Sequence, residues 1–143
     1  MEFLLGFNDR GFAGAYLFDV GVPHLVLINF EVWNEQDRAA NGSMLRAHES
    51  LGSEGANVTW LSRKTFETVT FERGVEKETL ACGSGAMAAF LAMEVMEKEQ
   101  GDTPAKKYSL RFPGGTLTVF REASKLWLSG PVRVVFKGEL NER

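Results

Sequence analysis

The sequence has one cysteine, Cys82, and only two histidines among its 143 residues. A single cysteine excludes an internal disulfide and leaves a free thiol, which is typical of a protein from a reducing compartment. His24 and His48 do not form a metal-ligand spacing with one thiol. The composition therefore predicts neither a disulfide-stabilised fold nor a metal centre.

Positive charge and long apolar runs are also scarce. The net charge is −3, and no basic stripe is present that could neutralise phosphates, which argues against a nucleic-acid partner. No apolar run is long enough to cross a membrane, and the N-terminus lacks the basic region of a signal peptide. We therefore expect a cytoplasmic protein that binds neither nucleic acid nor a membrane.

The rest of the composition indicates a single soluble domain over residues 1–143. Apolar residues make up 44% and charged residues 24% of the chain, which is ordinary for a globular protein of this size. Alternating β-branched and aromatic runs predict eight strands, at residues 12–19, 25–30, 58–62, 65–72, 106–112, 116–121, 126–129 and 132–139. Helices are predicted at 43–51 and 84–99, and residues 1–11 form a weakly specified lead-in.

The longer predicted helix is apolar on every face through its first three turns, and charge first appears at Glu94. A helix that is apolar all round is enclosed by protein. With eight strands available to enclose it, the expected fold class is α+β. We predict a curved antiparallel sheet, or open barrel, wrapped around this central helix, with the shorter helix outside.

Cys82 follows an extended segment and comes immediately before the buried helix. The unpaired N–H groups and the dipole at a helix N-terminus stabilise a thiolate and attract a carboxylate. Glycines at positions 83 and 85 would let a ligand approach the backbone closely. We predict that Cys82 is a partly exposed thiol of low pKa that takes part in chemistry, rather than a core residue.

Four motifs, in order, resemble the diaminopimelate epimerase family. Residues 72–86 read Glu-Arg-Gly-Val-Glu-Lys-Glu-Thr-Leu-Ala-Cys-Gly-Ser-Gly-Ala, similar to that family's Glu-Arg-Gly…Glu-Thr…Ala-Cys-Gly-(Thr/Ser)-Gly-Ala signature. Residues 20–24, 55–60 and 112–117 are similar to its Gly-Asn-Pro-His turn, its Gly-(Ala/Val)-Asn-Val strand entry and its Pro-Gly-Gly-x-Leu turn. A lone Cys-Gly-Ser-Gly would be weak evidence, but the ordered combination is specific. The resemblance is to the C-terminal half of the family.

The resemblance implies an isomerase that interconverts LL- and meso-diaminopimelate, in lysine biosynthesis, without a cofactor. Two cysteines act on opposite faces of the α-carbon, one as thiolate and the other as thiol, and exchange roles with the handedness of the substrate. Cys82 would be one of the two. The other belongs to the N-terminal half, in an Asn-Gly-x-Arg-Cys setting that this sequence lacks.

The same resemblance implies roles for six further residues. The backbone N–H groups of Gly83 and Ser84, with the Ser84 hydroxyl, would hold the α-carboxylate of the amino-acid substrate. Asn57 and Arg73 would hold its distal end. His24 and Glu72 would tune the protonation of the thiols.

Three departures from the family pattern bear on these expectations. Val22 stands where the family has Asn, which removes one substrate contact. Glu76-Lys77 replaces a single Gly, which either shifts Arg73 relative to the thiol or is absorbed as a bulge. The second cysteine is absent, so we expect this chain to be inactive alone and to need the N-terminal half, from the same gene or from a separate chain. The face around Cys82 should then expose apolar side chains to that partner.

Two other functions remain open from the sequence. The chain could be a non-catalytic binding module in which the half-fold persists while Val22 and the inserted residue have altered the site. It could also be a different isomerase of the same superfamily, similar to proline racemase or to the phenazine-pathway enzyme. The amino-acid sequence of residues 72–86 favours the epimerase over both of these relatives.

Overall fold

The computed structural model of the protein describes residues 2–3, 11–31 and 33–141. Within these ranges the strands are β1 (Glu2–Phe3), β2 (Gly14–Asp19), β3 (Pro23–Asn29), β4 (Asn57–Ser62), β5 (Thr68–Glu72), β6 (Lys77–Thr79), β7 (Lys107–Phe112), β8 (Gly115–Glu122) and β9 (Lys125–Ser129). The α-helices are α1 (Glu35–Arg46) and α2 (Gly83–Glu99), and Glu49–Leu51 forms a 3₁₀ turn. Most of the predicted lead-in, residues 4–10, lies outside the described residues.

The strands form two sheets. The six-stranded sheet follows the chain order from β1 to β6, and the three-stranded sheet has the order β7-β8-β9. Neighbouring strands are antiparallel except β3 and β4, which are parallel and are joined through α1, because a parallel pair needs a long crossover connection. The sheets meet where the backbone N–H of Arg111 donates to the carbonyl of Phe66 at 2.8 Å.

Helix α2 packs against strands of both sheets. Phe90 is fully buried in one core with Ile28, Leu110 and Val119. Alanines on the remaining faces of the helix are buried as well, since small side chains allow the strands to approach on several sides. The predictions of an α+β fold and of an enclosed central helix are therefore confirmed.

Residues 132–139 do not form the eighth predicted strand. They pair with no strand in the described part of the chain, and the side chains of Val132, Val134 and Phe136 are 98%, 75% and 84% exposed. The alternating, β-branched composition gave a strand signal, but composition cannot supply the neighbouring edge that a strand must bond to. The prediction for this segment was wrong.

The shorter helix also differs from its prediction. It begins at Glu35 rather than at Ser43 and ends at Arg46, before a separate 3₁₀ turn. The Asn34 side chain caps it by accepting from the backbone N–H of Asp37 at 2.9 Å. The first turns are polar and mostly exposed, so they carry no apolar periodicity, although the Asn cap followed by acidic residues was a usable start signal.

Candidate active site

Cys82 occupies the N-cap position of α2. Its Sγ atom accepts a hydrogen bond from the backbone N–H of Gly85 at 3.3 Å, and lies 3.4 Å from the Ser84 hydroxyl. The residue is 8% exposed, so the thiol is more enclosed in this chain than the sequence predicted. The helix N-terminus places the sulfur beside backbone N–H groups that favour negative charge.

Gly85 is the point at which α2 touches the large sheet. A Cβ atom added there would lie 2.6 Å from the Thr70 Oγ1 atom and 3.2 Å from the Thr59 Oγ1 atom, whereas a Cβ added at Gly83 would meet only the end of the Leu128 side chain, at 2.9 Å. Thr59 and Thr70 belong to paired strands inside the protein, but Leu128 is partly exposed and can move. Only glycine at position 85 allows this close packing.

We therefore expect Gly85→Ala to destabilise the protein by about 1–3 kcal/mol, as is typical of overpacking. Gly83→Ala is the matched control in the same helical turn, and it should change the free energy of unfolding by less than about 1 kcal/mol, because alanine also has the higher helix propensity. Denaturant unfolding of both variants measures the difference. Equal losses of stability in the two variants would show that the close contact of Gly85 with the threonines does not determine the cost of adding a methyl group.

His24 is the second residue of β3 and is fully buried. Its Nε2 atom lies 2.9 Å from the Ser84 hydroxyl, and its Nδ1 atom lies 3.3 Å from the Thr59 hydroxyl. Burial lowers the pKa of His24 from 6.5 to about 4, because desolvation penalises the charged ring. The ring is therefore neutral at pH 7, and Ser84 connects it to the Cys82 thiol.

The depressed pKa of His24 makes stability depend on pH. The unfolded chain binds this proton below pH 6.5 and the folded chain only near pH 4, so the stabilisation is complete above 6.5 and is lost as the pH falls towards 4. We expect about 2 kcal/mol to be lost between pH 7 and pH 5. Unfolding of the wild type and of His24→Gln across this range isolates the contribution, and parallel profiles would contradict the assignment.

Asn57 begins β4 opposite His24 in the parallel register. Its amide oxygen accepts from the backbone N–H of Arg73 at 2.8 Å, and its amide nitrogen lies 3.2 Å from the Nε2 atom of His24. The Asn57 side chain is thus committed to organising the site. Arg73 is held here through its backbone, and its guanidinium donates to the Glu54 carbonyl at 2.9 Å.

The structure joins Cys82, Ser84, His24 and Asn57 in one hydrogen-bonded group, but it places Glu72 elsewhere. The Glu72 carboxylate accepts from the Thr79 hydroxyl at 2.8 Å, across the β5–β6 pair. Glu72 thereby fixes the end of β5 next to Arg73. Its predicted influence on the thiols stays a prediction.

The inserted residue is absorbed in the turn between β5 and β6. Glu76 adopts a left-handed φ of 58°, a conformation that suits glycine, and its backbone N–H donates to the Glu72 carbonyl at 2.8 Å. Hydrogen bonds from the Gly74 backbone N–H and from Arg46 lower the pKa of the Glu76 carboxylate. The insertion therefore forms a closed turn rather than a bulge in the strand.

Sequence reasoning missed Thr59 and Thr70. Both are fully buried and face each other across β4 and β5, with 3.0 Å between their hydroxyl oxygens. A threonine in a β-branched run looks like an ordinary strand residue. That Thr59 and Thr70 lie opposite each other can be recognised only when the register of β4 and β5 is known.

Apolar side chains are exposed near the Cys82 end of α2. Leu80, two positions before the cysteine, is 72% exposed, and Leu128, which approaches Gly83, is 43% exposed. This agrees with the predicted apolar surface around the thiol. Among the described residues no cluster of His, Cys, Asp or Glu is arranged to hold a metal ion, and no helix is long and apolar enough to span a membrane.

Comparison with known proteins confirms the resemblance found in the motifs. The chain is 39% identical to the diaminopimelate epimerase of Gemmatimonas aurantiaca over 91% of its own length and 49% of that protein. It is 35% identical to that of Chlamydia muridarum over 85% of its length and 45% of that protein. It thus spans about half the length of the curated relatives that it matches, consistent with a C-terminal half. No family model matches the chain.

Solved structures show the same fold at low sequence identity. A phenazine biosynthesis protein of the PhzF family from Enterococcus faecalis superimposes with a TM-score of 0.50 and 13% identity, over 78% of this chain and 39% of that one. A putative phenazine biosynthesis PhzC/PhzF protein from Clostridium difficile gives 0.50 and 14%, over 76% and 38%. These likenesses support the epimerase-like α+β fold.

Proposed function

We propose that this chain, which is similar over most of its length to one half of the diaminopimelate epimerases, is the C-terminal, thiol-bearing half of a cofactor-independent amino-acid epimerase. Its substrate would be diaminopimelate, interconverted between the LL and meso forms in lysine biosynthesis. The observation that carries the proposal is the placement of Cys82 at the N-terminus of α2, within hydrogen-bonding distance of Ser84 and next to buried His24.

The reaction requires a base that removes the proton from the α-carbon and an acid that returns one to the opposite face. Cys82 as thiolate would be the base for one enantiomeric centre and, as thiol, the acid for the other. Negative charge that develops on the α-carboxylate as the C–H bond breaks must be stabilised by preorganised donors. The N-terminus of a buried helix supplies such donors.

The backbone N–H groups of Gly83 and Ser84 are suited to that task. As first-turn groups they have no intrahelical carbonyl partner, unlike Ala86, whose N–H donates to the Cys82 carbonyl at 2.9 Å. They lie directly beside the thiol along the chain, so a carboxylate bound there would bring its α-carbon near the sulfur. The Ser84 hydroxyl forms a hydrogen bond with His24 and lies beside the Cys82 sulfur. It is therefore better placed to interact with the thiol than with the substrate carboxylate.

The second thiol would come from a first-half domain that covers the face around Cys82. Exposed Leu80 and Leu128 lie at this end of α2, and apolar surface of this kind is typical of an interface. Covering it would also exclude water from the site. Exclusion of water strengthens the interactions that hold the charged intermediate.

The proposal is tested by combining the 143-residue chain with the first-half domain of a diaminopimelate epimerase and supplying LL-diaminopimelate in deuterated water. We expect meso product and deuterium at the α-carbon, measured by chiral chromatography and NMR. A combination that assembles, shown by sedimentation, and yet neither exchanges nor inverts the α-centre would contradict the proposal.

One observation favours the alternative of a non-catalytic binding module. The guanidinium of Arg73 is directed to Glu54, with 3.8 Å between its Nη1 atom and the Glu54 carboxylate, so it is occupied by a residue of the chain itself. In that alternative the α-carboxylate of an amino acid would still bind at the start of α2 in the assembled protein, as titration calorimetry with diaminopimelate measures, but the α-proton would not exchange. The same experiment in deuterated water thus separates the two functions.

A further inference from the structure

Two buried threonines lie behind His24, on the side opposite to the thiol. The Thr59 hydroxyl is 3.3 Å from the Nδ1 atom of His24 and 3.0 Å from the Thr70 hydroxyl. Both threonines are fully buried, and α2 rests on them through Gly85. Because a hydroxyl can donate or accept, the direction of these hydrogen bonds is set by neighbouring groups that have only one role.

The direction of these bonds can be read from Asn57. The backbone N–H of Arg73 can only donate, so the atom of Asn57 that it contacts, at 2.8 Å, is the amide oxygen. The amide nitrogen, also a donor, therefore faces the Nε2 atom of His24 at 3.2 Å. Nε2 must then carry the lone pair of the neutral ring, and the proton must be on Nδ1.

With its proton on Nδ1, the His24 ring donates to Thr59, whose own hydroxyl is left to donate to Thr70. On the other side of the ring, the single lone pair of Nε2 is shared by two donors, the Ser84 hydroxyl at 2.9 Å and the Asn57 amide at 3.2 Å. Ser84 then offers its oxygen lone pairs to the Cys82 thiol. Each group has one consistent role in this arrangement, and reversing the tautomer would oppose two donors at Nε2.

We propose that Thr59 is a positioning residue: by accepting from Nδ1 it stabilises the tautomer of His24 that the Asn57 amide requires at Nε2, and through that ring it helps to set the direction of the Ser84 hydroxyl beside Cys82. When the thiol loses its proton, the Ser84 hydroxyl turns to the sulfur, and the Asn57 amide continues to satisfy Nε2. The hydroxyl of Ser84 is thus a two-position donor that follows the charge on Cys82. The role of this network in catalysis rests on the proposed function. The tautomer of His24 itself can be measured without any activity.

The low pKa of His24 supports this arrangement, because a neutral ring has one protonated and one free nitrogen at pH 7. A charged ring would donate from both nitrogens and could not accept from Ser84. Burial of His24 therefore favours the neutral ring, which donates to Thr59 from one nitrogen and accepts from Ser84 at the other.

The first test is the tautomer of His24 in the wild-type chain, read at pH 7 from the ¹⁵N chemical shifts of its ring. We expect Nδ1 to carry the proton and Nε2 to show the shift of an unprotonated acceptor. A ring protonated on Nε2 would overturn the proposal. This measurement needs no variant and no substrate.

The second test is Thr59→Val, which keeps the shape of the side chain and removes the acceptor. The Nδ1–H group then has no acceptor, so the fraction of His24 protonated on Nδ1 should fall. The rate of Cys82 alkylation by iodoacetamide should change by about threefold or more, since one net hydrogen bond is worth about 1 kcal/mol, and Thr59→Ser should restore both. Thr68→Val is the matched control, because Thr68 is equally buried, on β5, and donates instead to the Phe66 carbonyl at 3.1 Å. The proposal would be contradicted if Thr59→Val kept the wild-type tautomer and alkylation rate. It would also be contradicted if Thr68→Val changed them as much as Thr59→Val does.

The outcomes are distinguishable from failure of the proposed function. If the assembled protein does not epimerise diaminopimelate but His24 is protonated on Nδ1 and responds to Thr59→Val, only the assigned reaction is wrong. If it epimerises and the tautomer does not respond, the positioning role of Thr59 is wrong.

Discussion

Replacing Cys82 by serine is expected to lower the rate of epimerisation by the assembled protein about 10³-fold or more, within the range that a positioned base or acid contributes. Serine has a hydroxyl that is far less acidic than a thiol, so it cannot take the α-proton. It is nevertheless a favourable N-cap residue. The chemistry is therefore removed while the start of α2, which Cys82 caps, is kept.

Two measurements separate catalysis from folding in this experiment. The free energy of unfolding of Cys82→Ser should stay within about 1 kcal/mol of the wild type, whereas Cys82→Ala, which removes the cap acceptor, should lose both stability and activity. Loss of activity in Cys82→Ala with full activity in Cys82→Ser would show that position 82 acts through the helix cap rather than through its thiol.

The second large effect concerns the chain without its other half. We expect no epimerisation of diaminopimelate by the 143-residue chain, because inversion requires a proton to arrive on the face opposite to its removal. A single thiol at one helix end reaches only one face. The most that the chain can catalyse is exchange of the α-proton with solvent, with retention of configuration, which NMR in deuterated water and chiral chromatography would distinguish.

Epimerisation by the purified chain, abolished in Cys82→Ser, would identify an opposing acid among its own residues. Val22→Asn and the replacement of Glu76-Lys77 by glycine test the other explanation for an inactive assembly. Activity that appears only in those variants would show that these departures from the family pattern have altered the site. The binding-module function would then be favoured.

The sequence predicted the start of α2 better than the packing around it. Cys82, its glycines and the enclosed helix could be predicted because a local run of residues encodes all three. Thr59 and Thr70 could not, because their meeting depends on the register between β4 and β5. The pairing of His24 with Asn57 likewise depends on a parallel register, and the family resemblance implied separate roles for these two residues.

Segment 132–139 failed for a related reason. Its residues favour extended backbone, but they pair with no strand in the described part of the chain, and the structure leaves their side chains in solvent. The prediction for α1 failed in a different way, because it missed the polar first turns of the helix. Their helix is held by the Asn34 cap, and by an Arg38–Glu78 ion pair at 2.6 Å, two contacts that leave no hydrophobic period in the sequence.

The single, enclosed cysteine also gives the protein an internal reporter of its own conformational fluctuations. Cys82 belongs to a core cluster that includes residues of both sheets, and it is the only cysteine in the sequence. A thiol reagent in excess that is too bulky for the remaining opening must therefore wait for a conformational fluctuation that widens it. The labelling rate divided by that of the unfolded chain gives the equilibrium constant, and hence the free energy, of this fluctuation. Repeated with denaturant, the measurement would show whether the thiol becomes accessible through a local fluctuation or only when the whole domain unfolds.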